Sequence, residues 1–399
     1  MNKTSIFEIT SHSIAVMVGY LLEGKPIILF NYIEEYNSLT KDGKFINEDF
    51  VANELRRIYK LANEQCNGIN SKNIYVVFPN ETLKSYQESS VTNVVSNDSK
   101  VIEIDIRNIY SMARNRNVSP NVAIIDVVAD QFIDDKENIL KTIELGYLTK
   151  TIRMDYHYYT VMSSTLDAYQ KIMNKADIYV KKYVVSSIAL ATYFAKSASF
   201  PSRYIMIQSY QNMTNLSYVA NGDIIYSSSM KTSLDDLFNQ IATTYDIDIQ
   251  YARSLVYKYG IDLRKYNFEV SLYSKENKDG KVTKLLQKDL NKMIASFLTN
   301  LVSMFSSETT KILQLVSDPV ADLIQYVIIG DVLKISGFKD GLDPAFKKQI
   351  LFYSSNNPCA LSQDYASMLA TLANSEEYNK LVEIETKNVN LIKNITRGE

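Results

Sequence analysis

Thr4–Tyr36 reads TSIFEITSHSIAVMVGYLLEGKPIILFNYIEEY, and its turns and apolar runs decide the fold class. Thr4–Ile9, Ile14–Leu22 and Pro26–Tyr36 are β-rich, and Glu23-Gly24-Lys25 supplies the turn before the third run. Asn47 then caps a helix whose apolar positions, Phe50, Val51, Leu55, Ile58 and Ala62, follow the 3.6-residue period. Gly68 ends the helix, and Asn73–Phe78 is an apolar strand stopped by Pro79-Asn80. The unit is three strands, a helix and a strand.

The unit recurs after Pro201. Arg203–Ile207, Asn215–Ala220 and Asp223–Ser228 read as strands, and Asn221-Gly222 is a two-residue turn of the primed type. Helices are predicted over Leu234–Tyr245 and Asp248–Tyr259, the second closed by Gly260. Lys275–Lys281 reads as a charged loop, and residues 282–316 as largely helical. Gln325–Gly330 is a buried strand, and Ala366–Leu372 lies on a late helix. The fold class is therefore α/β, with two related halves and α+β inserts.

Between the halves the pattern changes. A helix at Asp105–Arg114 precedes a strand at Asn121–Ala129 and a polar loop at Asp134–Asn138. Thr151–Met162 alternates Ile152, Met154, Tyr156 and Tyr158 against Arg153, Asp155, His157 and Tyr159, a half-buried strand by its period of two. His157 lies on its polar face, without a nucleophile motif nearby, so a structural role is expected. His12, in a turn, is expected to be solvated. Leu166–Asn174, Tyr183–Val185 and a helix through Lys196 return to α/β character.

The 399 residues carry 43 Lys plus Arg and 45 Asp plus Glu, a formal net charge of -2. With 46% hydrophobic and 22% charged residues, the composition excludes a disordered chain and a strongly basic nucleic-acid binder. Cys66 and Cys359 are the only cysteines, and His12 and His157 the only histidines. They make no disulfide framework or zinc cluster, a reducing setting is expected, and no metal is expected. The apolar runs fall short of the ~18–20 residues of a spanning helix. The N-terminus reads as a strand rather than a signal peptide.

This organisation resembles the actin, sugar-kinase and Hsp70 superfamily. Its details resemble the FtsA family of bacterial cell-division proteins, from about residue 5 to residue 373. Phe7–Gly19 matches the frame of the family's first phosphate motif without gaps. Asn73–Phe78, Ile124–Asp134 and Met154–Thr160 match the landmarks around the family's 1C insert. Ile249–Arg253 with Tyr259-Gly260, Val327–Asp331 with Ile335–Phe338, and Tyr365–Ala370 resemble its later motifs.

The resemblance implies an actin-like two-domain fold with a central cleft. Residues 1–86 and 160–200 would form subdomain 1A, 87–159 the 1C insert, 201–228 and 300–361 subdomain 2A, and 229–299 subdomain 2B. Residues 362–374 would be the closing helix of 1A, and 375–399 a membrane-proximal tail.

The family's nucleotide chemistry carries over in eroded form. A phosphate-cradling loop needs glycine so that backbone N–H groups reach the phosphate without a Cβ in the way. In the first loop Glu8 keeps the acid, but Thr10 stands at the glycine, Ser11 at the hydroxyl and Ser13 at the basic position. In the second, Gln208 replaces the acid, and Tyr210, Gln211 and Asn212 replace three glycines. Arg253 and Val256 stand where the family contacts ribose. Gly330, followed by Asp331, is the surviving glycine of the adenosine motif. No catalytic residue is expected, and ATP with Mg²⁺ is disfavoured as a cofactor.

The implied role is a pseudo-ATPase scaffold that binds the C-terminal tail of FtsZ through subdomain 2B. It would be cytoplasmic, peripheral at the inner face of the membrane at the division site, and self-associating into filaments. Lys284, Lys288 and Lys292, spaced i, i+4 and i+8 on an expected helix over 284–306, are the candidate docking ridge. Leu285 and Met293 would add apolar contacts. Leu391, Ile392 and Ile395 form the candidate membrane strip. The alternatives are an active ATPase of the same fold and a type IV pilus platform protein resembling PilM.

Overall fold

The computed structural model describes residues 2–41, 43–79, 82–230, 232–276, 282–316 and 324–380. Two five-stranded sheets repeat one topology. In the first, Thr4–Ile9, Ser13–Leu22 and Lys25–Glu35 form an antiparallel meander. Ile74–Phe78 and then Lys182–Val185 extend it in parallel from the first strand. In the second, Arg203–Ser209, Thr214–Ala220 and Asp223–Met230 form the meander. Gln325–Gly330 and Ile350–Phe352 extend it in parallel.

The sequence dictates these elements directly. Thr4–Ile9 and Ile74–Phe78 are buried at every residue, as parallel strands covered on both faces must be. Glu23-Gly24 and Asn221-Gly222 have positive φ at both residues, which gives each hairpin the twist its strands require. Asn47 accepts the amide of Phe50 and starts the Glu48–Gln65 helix. That helix buries Val51, Ala52, Leu55, Ile58 and Ala62. Phe50, expected among them, is instead exposed and packs edge-on against Tyr36 with ring centres 5.6 Å apart. At the first turn it lies beside the buried stripe rather than on it.

Ser186–Ala195 and Ala366–Ala373 are buried on nearly all sides. The second packs on the first sheet and on its fellow helix, which also touches Asp223–Met230 of the second sheet. Asn374 ties them by donating to the Ala189 carbonyl at 3.0 Å. The main core therefore runs from Ile6, Val16 and Val76 through these helices to Met206, Val219 and Val327. A second core, around Ile205, Leu237, Leu298 and Phe305, fills the outer face of the second sheet.

A separate four-stranded antiparallel sheet carries the third core. Its order is Lys84–Asn93, Thr151–Met162, Val122–Ile133 and Ile139–Leu140, with the Glu103–Arg114 helix packed on it. The sequence reading has no strand at Lys84–Asn93. That edge strand is polar and mostly exposed, so its apolar alternation is faint and only pairing with Thr151–Met162 defines it. Thr151–Met162 alternates only in its first half. Tyr156–Val161 is buried throughout, because Tyr159 enters the main core and its hydroxyl accepts the Ile224 amide at 3.1 Å.

Two corrections fall in the second half of the chain. Residues 282–286 form a strand paired with Ser271–Glu276, and the long helix runs from Gln287 to Val316. Lys275 is on the first of these strands, not in a loop; residues 277–281 of the expected loop, and Asn80, lie outside the described residues.

Candidate functional site

The strand ends of both sheets converge on one cleft. Its walls are the Thr10–Ser13 turn, the Gln208–Gln211 segment, Gly330-Asp331, and Gln363–Ser367 at the head of the late helix. Gly330 has φ of 104°, and a Cβ there would lie 2.5 Å from the Ser209 carbonyl oxygen, so the close approach of the two strands requires glycine.

Thr10 changes the first turn. Its hydroxyl accepts the amides of His12, at 3.2 Å, and Ser13, at 3.0 Å, and lies 2.8 Å from the Ser13 hydroxyl. The turn's own N–H groups are thus capped from within rather than aimed at an anion. Ser11 is buried, and its carbonyl accepts the Leu39 amide.

Across the cleft, the Gln208 side-chain amide donates to Ser186 and to the Tyr210 hydroxyl, both at 3.2 Å. The Tyr210 hydroxyl is also 3.1 Å from Ser186. Burial and the nearby Glu8 charge push the Tyr210 phenol far up. Gln208 Oε1 is buried without a hydrogen-bond partner. The space left among the cleft side chains is about 30 Å³. That is room for a water or two, whereas ligand pockets run to several hundred Å³.

The floor is acidic. Glu8 is 4% exposed and accepts from Ser367 at 2.6 Å. Burial, with Asp364 and Asp331 close by, pushes its pKa up to about 8 despite that bond. Asp331 is also raised by burial, against the opposing pull of Lys334. Lys334 bridges Asp331, at 2.8 Å, and Asp364. Burial works against its charge, but the two carboxylates hold its pKa above the ordinary value.

Side chains also bridge the mouth. His12 Nε2 lies 3.2 Å from Asp235, and Arg253 reaches Gln211 at 2.8 Å and Glu35 at 3.4 Å. His12 is 12% exposed, so the expectation of a solvated turn histidine is corrected: the second half of the chain supplies its partner.

Glu8, Thr10, Ser11, Ser13, Gln208, Tyr210, Gln211, Gly330 and Asp331 are therefore brought together. Asn212 is exposed in the adjoining groove, which Arg253 also lines. Val256 is not at the cleft; it is fully buried in the second core. Ser186, Lys334, Asp364 and Ser367 also serve the cleft, and the sequence alone does not mark them. Ser367 meets Glu8 across 359 positions, and no local pattern marks such a pair.

The lysine ridge is reduced. Lys284 is on a strand, Lys288 and Lys292 are exposed on the helix one turn apart, and Lys288 pairs with Glu269 at 2.7 Å. Leu285 is fully buried and Met293 packs on the second core, so neither is a free contact. Leu391, Ile392 and Ile395 lie outside the described residues.

No protein-family model matches the chain. Cell division protein FtsA of Staphylococcus epidermidis is 20% identical over 389 residues, 95% of this chain and 80% of that protein. FtsA of Streptococcus pneumoniae is 20% identical over 63% of this chain and 55% of that protein. The chain is thus similar to FtsA proteins, at about 20% identity over most of its length. Among solved structures, a PilM-PilN type IV pilus biogenesis complex aligns at a TM-score of 0.59 and 12% identity, covering 94% of this chain and 98% of that one. MreB5 of Spiroplasma citri bound to ADP aligns at 0.52 and 13% identity, over 96% and 99%. The fold is actin-like, with two domains around the cleft, and the FtsA likeness runs through both. Among the described residues no helix is long and apolar enough to cross a membrane.

Proposed function

We propose that this chain is a non-enzymatic scaffold of the FtsA type, which organises the FtsZ ring with a nucleotide cleft closed by its own side chains. The observation that carries the reading is the cleft: Thr10 caps the first turn, and Tyr210 and Gln208 fill the opposite wall. An ATP-binding cleft of this fold needs open backbone donors and an acidic group for Mg²⁺. Here the first-turn donors of His12 and Ser13 are capped, and the acid of the second loop is the amide Gln208.

In this reading residues 87–159 act as the 1C insert, 229–299 as subdomain 2B and 375–399 as a tail that touches the membrane surface. Self-association into filaments belongs to the same proposal. The test is fluorescence anisotropy with a peptide of the acidic C-terminal tail of FtsZ from the same cell. Saturable binding that weakens with salt is expected. Failure to bind the peptide, together with capture of a PilN-type protein from the native lysate, would replace this reading with a pilus platform, the assembly named for the PilM-PilN structure.

A further inference from the structure

Outside the cleft, a mixed cluster lies where the insert meets the second half of the chain. Asp130 is on the Val122–Ile133 strand, His157 on Thr151–Met162, and Asp223 opens the Asp223–Met230 strand just after the Asn221-Gly222 turn. One donor atom from each residue lies within 4.8 Å of the others. His157 Nδ1 is 2.7 Å from Asp130 Oδ1, with 10% of the imidazole exposed. The second oxygen of Asp130 is buried and has no hydrogen-bond partner. Among the described residues neither carboxylate pairs with a lysine or arginine; the imidazole is the charge partner in the cluster.

The framework around the cluster is fixed independently of it. The Tyr159 hydroxyl, two residues beyond His157, accepts the amide of Ile224, one beyond Asp223. Asp130 and His157 therefore sit on neighbouring paired strands, Asp130 at a bulge in that pairing, and the Tyr159 hydrogen bond holds the Asp223 strand beside them, which is how a preorganised ligand set is built.

We propose that Asp130, His157 and Asp223 bind one divalent first-row transition-metal ion of the Zn²⁺ class, which pins the insert to the hairpin of the second half. One imidazole nitrogen with two carboxylate oxygens suits Zn²⁺ or Mn²⁺; Mg²⁺ and Ca²⁺ favour oxygen alone. Bonds of about 2.0–2.2 Å place the donors of a tetrahedral site roughly 3.3 Å apart. The 2.7 Å pair opens slightly, and the half-buried Asp223 closes the remaining gap by side-chain rotation. Three protein donors leave the fourth position to water. The ion bonds two segments that otherwise meet by packing and the Tyr159 hydrogen bond, so it sets the orientation of the insert.

The experiment uses the full-length chain, stripped with chelator and checked for folding by circular dichroism. Zn²⁺ is titrated by calorimetry at pH 7.5, and Co²⁺ absorption reports the geometry. One equivalent of Zn²⁺ per chain is expected, with Mg²⁺ binding at least about tenfold weaker. Asp223→Asn should weaken Zn²⁺ binding about tenfold or more while leaving the chain folded in chelator by circular dichroism. Zn²⁺ at a hundredfold excess over its Kd should stabilise the parent about a hundredfold in its folding constant, and the variant much less. His157→Gln should abolish the Co²⁺ band of imidazole ligation; if that variant does not fold, Asp130→Asn stands in with loss of Zn²⁺ affinity. Equal Zn²⁺ uptake by parent and Asp223→Asn, no uptake by the parent, or equal affinity for Mg²⁺ and Zn²⁺ each overturns the proposal.

Discussion

Glu8 carries the sharpest prediction at the residue scale. In an unfolded chain its carboxyl ionises near 4.5, and in the folded cleft it keeps its proton to about 8. Its contribution to stability is fully present below 4.5 and is lost as pH rises toward 8, because the unfolded state sheds the proton first. The fall approaches about 1.4 kcal/mol per pH unit in mid-window. Asp223, raised to about 6 by burial, adds a fall in the same direction at lower pH. His157 does so near its own raised pKa; burial opposes its charge most strongly, and the Asp130 bond together with the Asp130 and Asp223 charges outweighs it. Glu8→Gln should therefore flatten the stability curve between pH 5 and 8, read from urea unfolding at several pH values. An unchanged slope would mean that Glu8 is ionised in the fold. Tyr210→Ala should cost about 3–5 kcal/mol in the same assay, the range of buried aromatic truncations. It removes a packed ring and leaves Gln208 and Ser186 short of a partner.

Two elements carry predictions at the next scale. The Glu48–Gln65 helix starts on the Asn47 side chain, so Asn47→Ala should lower stability by about 1 kcal/mol without shifting far-UV spectra. The Gln287–Val316 helix presents Lys288 and Lys292 on one exposed face. Reversing both to Glu should weaken binding of the acidic FtsZ tail several-fold at low salt and flatten its salt dependence. A double variant that binds as the parent does would move the docking site elsewhere. Lys284 is left out of this test because it belongs to the Val282–Leu286 strand. The sequence 282–292 is ambiguous here: the lysine spacing fits a helix, but Leu285 is drawn into the core by pairing with Ser271–Glu276.

For the whole molecule, the two halves close on each other through the shared core and through His12–Asp235 and Arg253–Glu35 at the mouth. Calorimetry with MgATP should give no saturable heat, and phosphate release should match the buffer blank. Micromolar binding would mean that Tyr210 swings out and the cleft opens.

The sequence by itself determined the repeated strand-strand-strand-helix-strand order, because apolar periodicity, the two primed turns and the Asn47 cap are local signals. The family resemblance matched Glu8 and Thr10 with Gln208 and Tyr210, and these lie at or just beyond the ends of corresponding strands. Tertiary structure alone decided what these residues touch. Ser367 reaches Glu8, Lys334 joins Asp331 to Asp364, and Asp235 holds His12, in two of those cases across more than half the chain. It also made a strand of Lys84–Asn93, whose side chains mostly face solvent and whose signal is the hydrogen-bonded partner beside it. Local order is written in side-chain spacing, whereas the charge state of Glu8 depends on burial and on neighbours that only folding brings within a few ångströms.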